Sequence, residues 1–146
     1  MKKIVSVILA VAMMMCMTAC AGLDIGKVKG DWTLSTVNGK TVEEYAAELG
    51  VEPYMIVVNA TVTDTQYTSQ SANAVATYPI SVKANGFEVL TAEGGDIMMS
   101  VKYNGADDTL SYKVDIDGTV YEYVLTKGTG DITPPAADEN AEANAE

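Results

Sequence analysis

The sequence has no arginine and no histidine. All nine of its cationic residues are lysine, set against twenty Asp and Glu in 146 residues, and the formal charge is −11. Without histidine there is no Ser-His-Asp triad, no Cys-His nucleophile pair and no His-ligated zinc site. The two cysteines, Cys16 and Cys20, both lie in the first twenty residues. The rest of the chain therefore holds neither an internal disulfide nor a cysteine metal cluster. Phosphate contact depends on clustered cationic groups, so an acidic chain without arginine is a poor nucleic-acid binder. The expectation is a non-enzymatic protein with no cofactor, no metal and no nucleic-acid partner.

What is present begins with an address. Lys2 and Lys3 precede an almost wholly apolar run from Ile4 to Met17. That is the length of a secretory h-region and too short for a comfortable membrane span. The run ends in Met17-Thr18-Ala19-Cys20, which resembles a bacterial lipobox with Met where Leu is usual. The resemblance implies that residues 1–19 are a signal peptide, that Cys16 leaves with it, and that the Cys20 thiol carries the lipid. Each buried methylene of the acyl chains contributes roughly 0.8 kcal/mol, so several chains make a stable anchor. The membrane is then a partner through Cys20, with the protein exported and its folded part facing outward. An ordinary signal peptide cut after Ala19, or an uncleaved anchor, is the alternative.

Residues 20–27 read as a tether that holds the folded part within roughly 25–30 Å of the bilayer. From Gly128 the composition changes to Gly, Pro, Ala, Asn and acids, with no base and no large apolar residue after Ile132. Such a segment buries too little to offset its ordering entropy, so residues 128–146 are expected to be a disordered acidic tail. Between them, residues 28–127 suffice for one modest core.

Within 28–127 the pattern is alternation broken by turn chemistry. Asn85-Gly86, Gly94-Gly95, Asn104-Gly105 and Asp117-Gly118 suit hairpin turns that need positive φ. Strands are predicted over Asp31–Val37, Ile56–Thr63, Gln66–Ser69, Ala76–Lys83, Phe87–Thr91, Ile97–Tyr103, Thr109–Ile116 and Thr119–Lys127. Ile80 and Val82 oppose Ser81 and Lys83; Ile97, Met99, Val101 and Tyr103 oppose Met98, Ser100 and Lys102; Leu110, Tyr112, Val114 and Ile116 oppose Ser111, Lys113 and Asp115. One face is wet and one covered. Thr41-Val42-Glu43-Glu44 has the form of a capping box, Val42, Tyr45, Ala46 and Leu49 follow helical spacing, and Gly50 supplies the stop. A helix of about two turns needs the sheet to hold it. The segment Ser81-Val82-Lys83-Ala84-Asn85-Gly86 recurs as Ser100-Val101-Lys102-Tyr103-Asn104-Gly105, which reads as one hairpin solution used twice.

Gly30-Asp31-Trp32-Thr33-Leu34 is a G-x-W-x-L opening, followed by Asn38, a short helix around Tyr45 and Leu49-Gly50-Val51. This stretch resembles the start of the calycin group: the lipocalins, the fatty-acid-binding proteins, and the small lipocalin-like domains of bacterial lipoproteins. The resemblance implies an all-β, up-and-down antiparallel barrel of about eight strands, with one short helix between the first two. It also implies that Trp32 closes the barrel bottom under a basic side chain from the last strand, here Lys127. Fatty-acid-binding proteins hold the ligand carboxylate with Arg and Tyr on a late strand. Tyr121 and Tyr123 fall in such a region, but the arginine is missing.

Tyrosine is the residue type with the most to offer. Tyr78, Tyr103, Tyr112, Tyr121 and Tyr123 fall on the face assigned to the interior, and buried phenols need partners or water. They are the candidate ligand-binding residues. The bland alternative is a small core whose phenols reach the barrel ends. Ser81/Lys83, Ser100/Lys102 and Ser111/Lys113 lie on the wet face, where a Ser-Lys dyad has no depressed lysine pKa to use. Asp115-Ile116-Asp117-Gly118 has Lys113 and Val124 where a calcium loop needs ligands, so it reads as a turn. Glu43 and Glu44 point apart on the helix, and Asn59-Ala60-Thr61 is a sequon inside a strand. Two functions remain open for what is expected to be a monomer: a binding module for a small apolar or amphiphilic ligand, or a solid barrel whose surface meets a protein. Interior volume distinguishes them.

Overall fold

The computed structural model describes residues 22–134; the leader, Cys20 and residues 135–146 lie outside the described residues. Asp24 caps a single helical turn, α1 (Ile25–Val28), by accepting from the Gly26 N–H at 3.0 Å. Strand β1 (Gly30–Val37) and a two-residue β2 (Lys40–Thr41) lead into α2 (Val42–Leu49) and a 3₁₀ turn at Pro53–Met55. Seven strands follow: β3 (Asn59–Val62), β4 (Gln66–Gln70), β5 (Val75–Lys83), β6 (Gly86–Leu90), β7 (Ile97–Asn104), β8 (Thr109–Ile116) and β9 (Thr119–Lys127).

Every pairing is antiparallel, each strand from β3 to β9 pairs with the next, and β1 pairs with both β3 and β9. The fold is therefore all-β: eight strands close an up-and-down barrel, β2 is an extra edge strand, and the short helix follows the first strands. Each of the eight strands has a neighbour on both sides, although β7 and β8 pair only next to their turn. A bulge between Leu34 and Thr36 shifts the register of β1 on β9. It lets Trp32, Leu34 and Val37 all point inward.

The capping box forms: Thr41 Oγ1 accepts from Glu44 N–H at 3.3 Å, and Glu44 Oε2 accepts from Thr41 N–H at 2.9 Å. Gly50 ends the helix in the left-handed region, φ 67°. Val42 and Ala46 are buried, and Val42 joins Leu34, Val37 and Val57 in an upper core beneath the helix. The lower core gathers Val28, Trp32, Val62, Tyr67, Phe87, Val101, Leu110 and Leu125.

Several expectations change. The strand expected from Ile56 starts at Asn59, because Pro53 and its neighbours coil into the 3₁₀ turn first. Asp117 (φ 52°) and Gly118 (φ 82°) adopt the left-handed turn, but Asn85, Gly86, Asn104 and Gly105 do not; the β5–β6 turn falls one residue earlier, at Ala84-Asn85. Asn38 (φ 50°) and Gly39 (φ 77°) make the turn of the β1–β2 hairpin. Val82, Ile97 and Ile116, placed on the covered face by alternation, sit at the barrel rims and are exposed.

The ends also pack more than composition implies. Leu23 and Ile25, inside the expected tether, lie against the lower core, and Leu23 N–H donates to the Lys83 carbonyl at 3.1 Å. At the other end, the Asn59 side chain donates to the Gly130 carbonyl at 2.9 Å and accepts from Gly130 N–H at 2.8 Å. Ile132 then packs on the upper core. Two hydrogen bonds and one aliphatic side chain hold the first part of the tail down.

Candidate functional site

The barrel bottom is built around one indole. Trp32 is fully buried, and its Nε1–H donates to the Val28 carbonyl at 2.8 Å. Lys127, paired directly with Trp32 across β1 and β9, sets its ammonium 4.1 Å from the ring centroid. The same ammonium donates to the carbonyls of Lys27 (3.2 Å) and Lys29 (3.0 Å). Lysine thus ties the end of α1 to the indole by charge on two carbonyl dipoles and on the ring face. This end is a packed floor.

The wall is interrupted between β7 and β8. These strands pair only at Lys102↔Ser111, Tyr103↔Leu110 and Asn104↔Thr109, next to their turn. Beyond it, Ile97–Val101 still pair with β6 and Tyr112–Ile116 with β9, but not with each other. The two strands splay, and a lateral cleft opens. Its outer part is a hollow of about 410 Å³ between Met98, Met99, Tyr112 and Lys113. Its inner part, of about 230 Å³, reaches Tyr67, Tyr78, Val89 and Val114. Met98, Met99 and Tyr112 border both.

The five tyrosines divide. Tyr78 and Tyr112 line the inner part of the cleft. Tyr123 stacks on Tyr112 with centroids 5.1 Å apart and planes 11° from parallel, so it backs the cleft, and Tyr121 joins it against the upper core. Tyr103 packs near the floor and its hydroxyl donates to Asp108 at 3.0 Å. That bond, with some desolvation, raises the Tyr103 pKa. Burial raises Tyr112, with Tyr67 and Tyr123 adding to the shift, and burial likewise raises Tyr123.

Tyr67 belongs to this group and was not among the expected residues. It is 3% exposed, pairs directly with Tyr78 and packs on Phe87 at 6.0 Å. Burial pushes its pKa up to about 12, with the Ser69 hydroxyl opposing. The local signal was Tyr67 as the sole apolar residue in Gln66-Tyr67-Thr68-Ser69, but four residues give too short an alternation to assign a face. With their pKa values raised, Tyr67, Tyr103, Tyr112 and Tyr123 stay neutral at physiological pH. Tyr67, Tyr78 and Tyr112 present hydroxyl dipoles in the largely apolar inner part of the cleft, which can orient a small ligand.

A larger hollow, about 570 Å³, lies between β1, α2, the 3₁₀ turn and the tail, bordered by Thr33, Tyr54, Val57, Asp131 and Pro134. It contains neither Tyr67 nor any of the five expected tyrosines, and one side of it is the tail, whose continuation lies outside the described residues. Among the described residues no three carboxylates converge as a metal site, and no helix is long and apolar enough to cross a membrane. No family model, curated protein or solved structure matches the chain.

Proposed function

We propose that this chain is an exported lipoprotein, moored by acyl chains on Cys20, whose lipocalin-like barrel binds a small apolar or amphiphilic ligand without catalysing a reaction. The observation that supports the binding role is the splay of β7 from β8. Forgoing ladder hydrogen bonds along five residues of each strand costs stability, and a barrel built only to be solid gains nothing from it. The opening leads into an apolar hollow lined by tyrosines, which is the composition of small-molecule sites.

The test uses the whole chain extracted from membranes in mild detergent. Organic extraction and mass spectrometry are expected to find a stoichiometric small molecule with the wild type and not with Val114→Trp, which fills the inner cleft. Equal recovery from both proteins, or none from either together with no saturable dye binding, overturns the reading. In parallel, Cys20→Ala is expected to release the protein from the membrane fraction; firm retention overturns the anchor.

A surface interaction role is the second reading. The packed floor and the exposed aliphatic residues at the opposite end favour it.

A further inference from the structure

Two of the Ser-x-Lys pairs in the sequence meet across the opening of the cleft. Lys102 lies directly opposite Ser111 in the closed rung of β7 and β8 farthest from their turn. Residues two apart on a strand share a face. Ser100 and Lys113 therefore stand on the same outer face one step further along, where the ladder has ended. Antiparallel strands invert the order, so each lysine faces a serine and the two lysines lie on a diagonal across the seam. All four residues line the outer hollow. A register shift opposite Val89 and Leu90 leaves Met98 as the extra residue of β7 and brings it to the inner hollow as well. The cleft thus runs from a mouth of lysine and serine to an interior of methionine and tyrosine.

Most carboxylates near this mouth are engaged elsewhere. Glu88, opposite Ser100, pairs with Lys83 at 3.0 Å. Asp107 accepts from the Asn104 amide at 2.7 Å, Asp108 from the Tyr103 hydroxyl at 3.0 Å and Asp115 from Gly118 N–H at 2.8 Å. Glu122 does line the outer hollow, opposite Lys113 on β9. It stands 4.0 Å from that ammonium with both side chains more than half exposed, so the pair contributes little. Among the described residues Lys102 is in no ion pair. Two cations against one carboxylate leave the mouth with a surplus of one positive charge. The overall −11 is spread over the chain and is screened beyond about 8 Å at physiological ionic strength, so the groups inside the hollow decide what binds there.

We propose that the cleft takes a small amphiphile with one anionic group on a compact, ring-like apolar body, bound with the anion outward. Lys102, Lys113 and the Ser100 and Ser111 hydroxyls hold the anion, and the body lies inside against Met98, Met99 and Tyr112. The inference rests on the cleft being a binding site and adds the charge of the ligand and which end faces out. Orientation follows from the donors. The interior offers neutral phenols and no cation, so a buried anion there would go uncompensated, whereas the mouth supplies charge-assisted hydrogen bonds. Size follows from volume. The inner hollow of about 230 Å³ matches the liquid volume of roughly eight waters, room for a ring or two and not for a long acyl chain. Flat rings suit its walls, because phenol faces and thioether sulfurs both make favourable contacts with aromatic rings.

The test uses the full chain in uncharged detergent, dialysed to equilibrium against protein-free micelles so that partition into detergent cancels. The probes are naphthalene carboxylate and its neutral isostere, naphthalene carboxamide. The carboxylate is expected to bind saturably and about tenfold more tightly than the amide, as two exposed ion pairs allow. Lys102→Gln/Lys113→Gln is expected to cut that preference to about twofold or less while amide binding is unchanged, and Glu122→Gln to strengthen carboxylate binding about threefold. Rising salt should weaken the carboxylate alone. All three changed side chains are exposed, so unchanged thermal unfolding serves as the control for folding. Amide binding as tight as carboxylate binding, or a preference that survives in the double variant, overturns the anionic head and leaves the cleft standing as a binding site. Absence of saturable binding by either probe overturns the inference. If extraction also recovers no small molecule from the wild type, the binding role falls with it; recovery of an uncharged molecule overturns the charge assignment alone.

Discussion

Replacing Trp32 with phenylalanine tests how much of the barrel depends on its floor. Three losses follow from the geometry. The Val28 carbonyl, now bonded to Nε1–H at 2.8 Å in a fully buried setting, is left unpaired, at about 1–3 kcal/mol. The smaller ring leaves a void at a position with no exposure, costing a further 1–2 kcal/mol or so, since complete truncation of a buried aromatic costs about 3–5. The lysine–ring contact at 4.1 Å weakens, worth about 0.5 kcal/mol because Lys127 is exposed. Together these predict a loss of about 2.5–5.5 kcal/mol, a large share of the roughly 5–15 that holds a domain folded. With a urea slope of about 2 kcal/mol/M, the midpoint falls by about 1.3–2.8 M. Unfolding is followed by far-ultraviolet circular dichroism, because the substitution removes the only tryptophan. Lys127→Met alone is expected to cost about 1 kcal/mol or less. A Trp32→Phe loss below about 1 kcal/mol, or one no larger than that of Lys127→Met, would refute the assignment of the indole as the buried keystone of the floor.

Two further predictions concern packing and pH. A Cβ on Gly86 would stand 1.9 Å from the Val101 carbonyl oxygen, whereas one on Gly105 would meet nothing nearer than the Tyr103 ring at 3.5 Å. Gly86→Ala is therefore expected to cost about 3 kcal/mol or more and Gly105→Ala to lie within about 1 kcal/mol of neutral, both read by urea unfolding; equal effects would refute the close approach of β6 to β7. Tyr67 has its pKa raised to about 12 in the folded state against about 10 unfolded. The folded chain holds this proton more tightly, so the associated stability is complete below about pH 10 and drains as pH rises toward 12, at about 1.4 kcal/mol per pH unit. Burial shifts Tyr112 in the same direction, which steepens the loss. Urea midpoints measured across that range should fall, and less steeply in Tyr67→Phe; identical slopes would place Tyr67 in contact with water.

Local chemistry made much of this protein legible without coordinates. Thr41 and Glu44 lie three residues apart and cap each other whatever surrounds them. Asp117-Gly118 turns left-handed because both residues tolerate positive φ. Alternation along Met99–Tyr103 and Leu110–Ile116 assigned faces correctly, though rim neighbours leave Ile116 exposed; at the start of β7 a bulge sets Ile97 beside Leu90, away from buried Val89, and brings Met98 to the inner hollow, which no period reveals. The Trp32 and Lys127 pair could be named from a resemblance, but their contact requires β1 and β9 to meet across the whole chain.

The two copies of Ser-Val-Lys-x-Asn-Gly mark the boundary between the two kinds of information. Near-identical hexapeptides have equal propensity, yet Gly86 ends up against a carbonyl of β7 and Gly105 in an open loop, because the strands facing them differ. The same holds for Tyr67, buried by its pairing with Tyr78, for Gly130, held by an asparagine from β3, and for the parting of β7 from β8. Composition and spacing determined the strands, the helix caps and the character of each face, since those depend on neighbours along the chain. Which rungs of the barrel close, which are left open and which glycine must remain glycine were decided only in three dimensions. They depend on distances between residues that the sequence holds far apart.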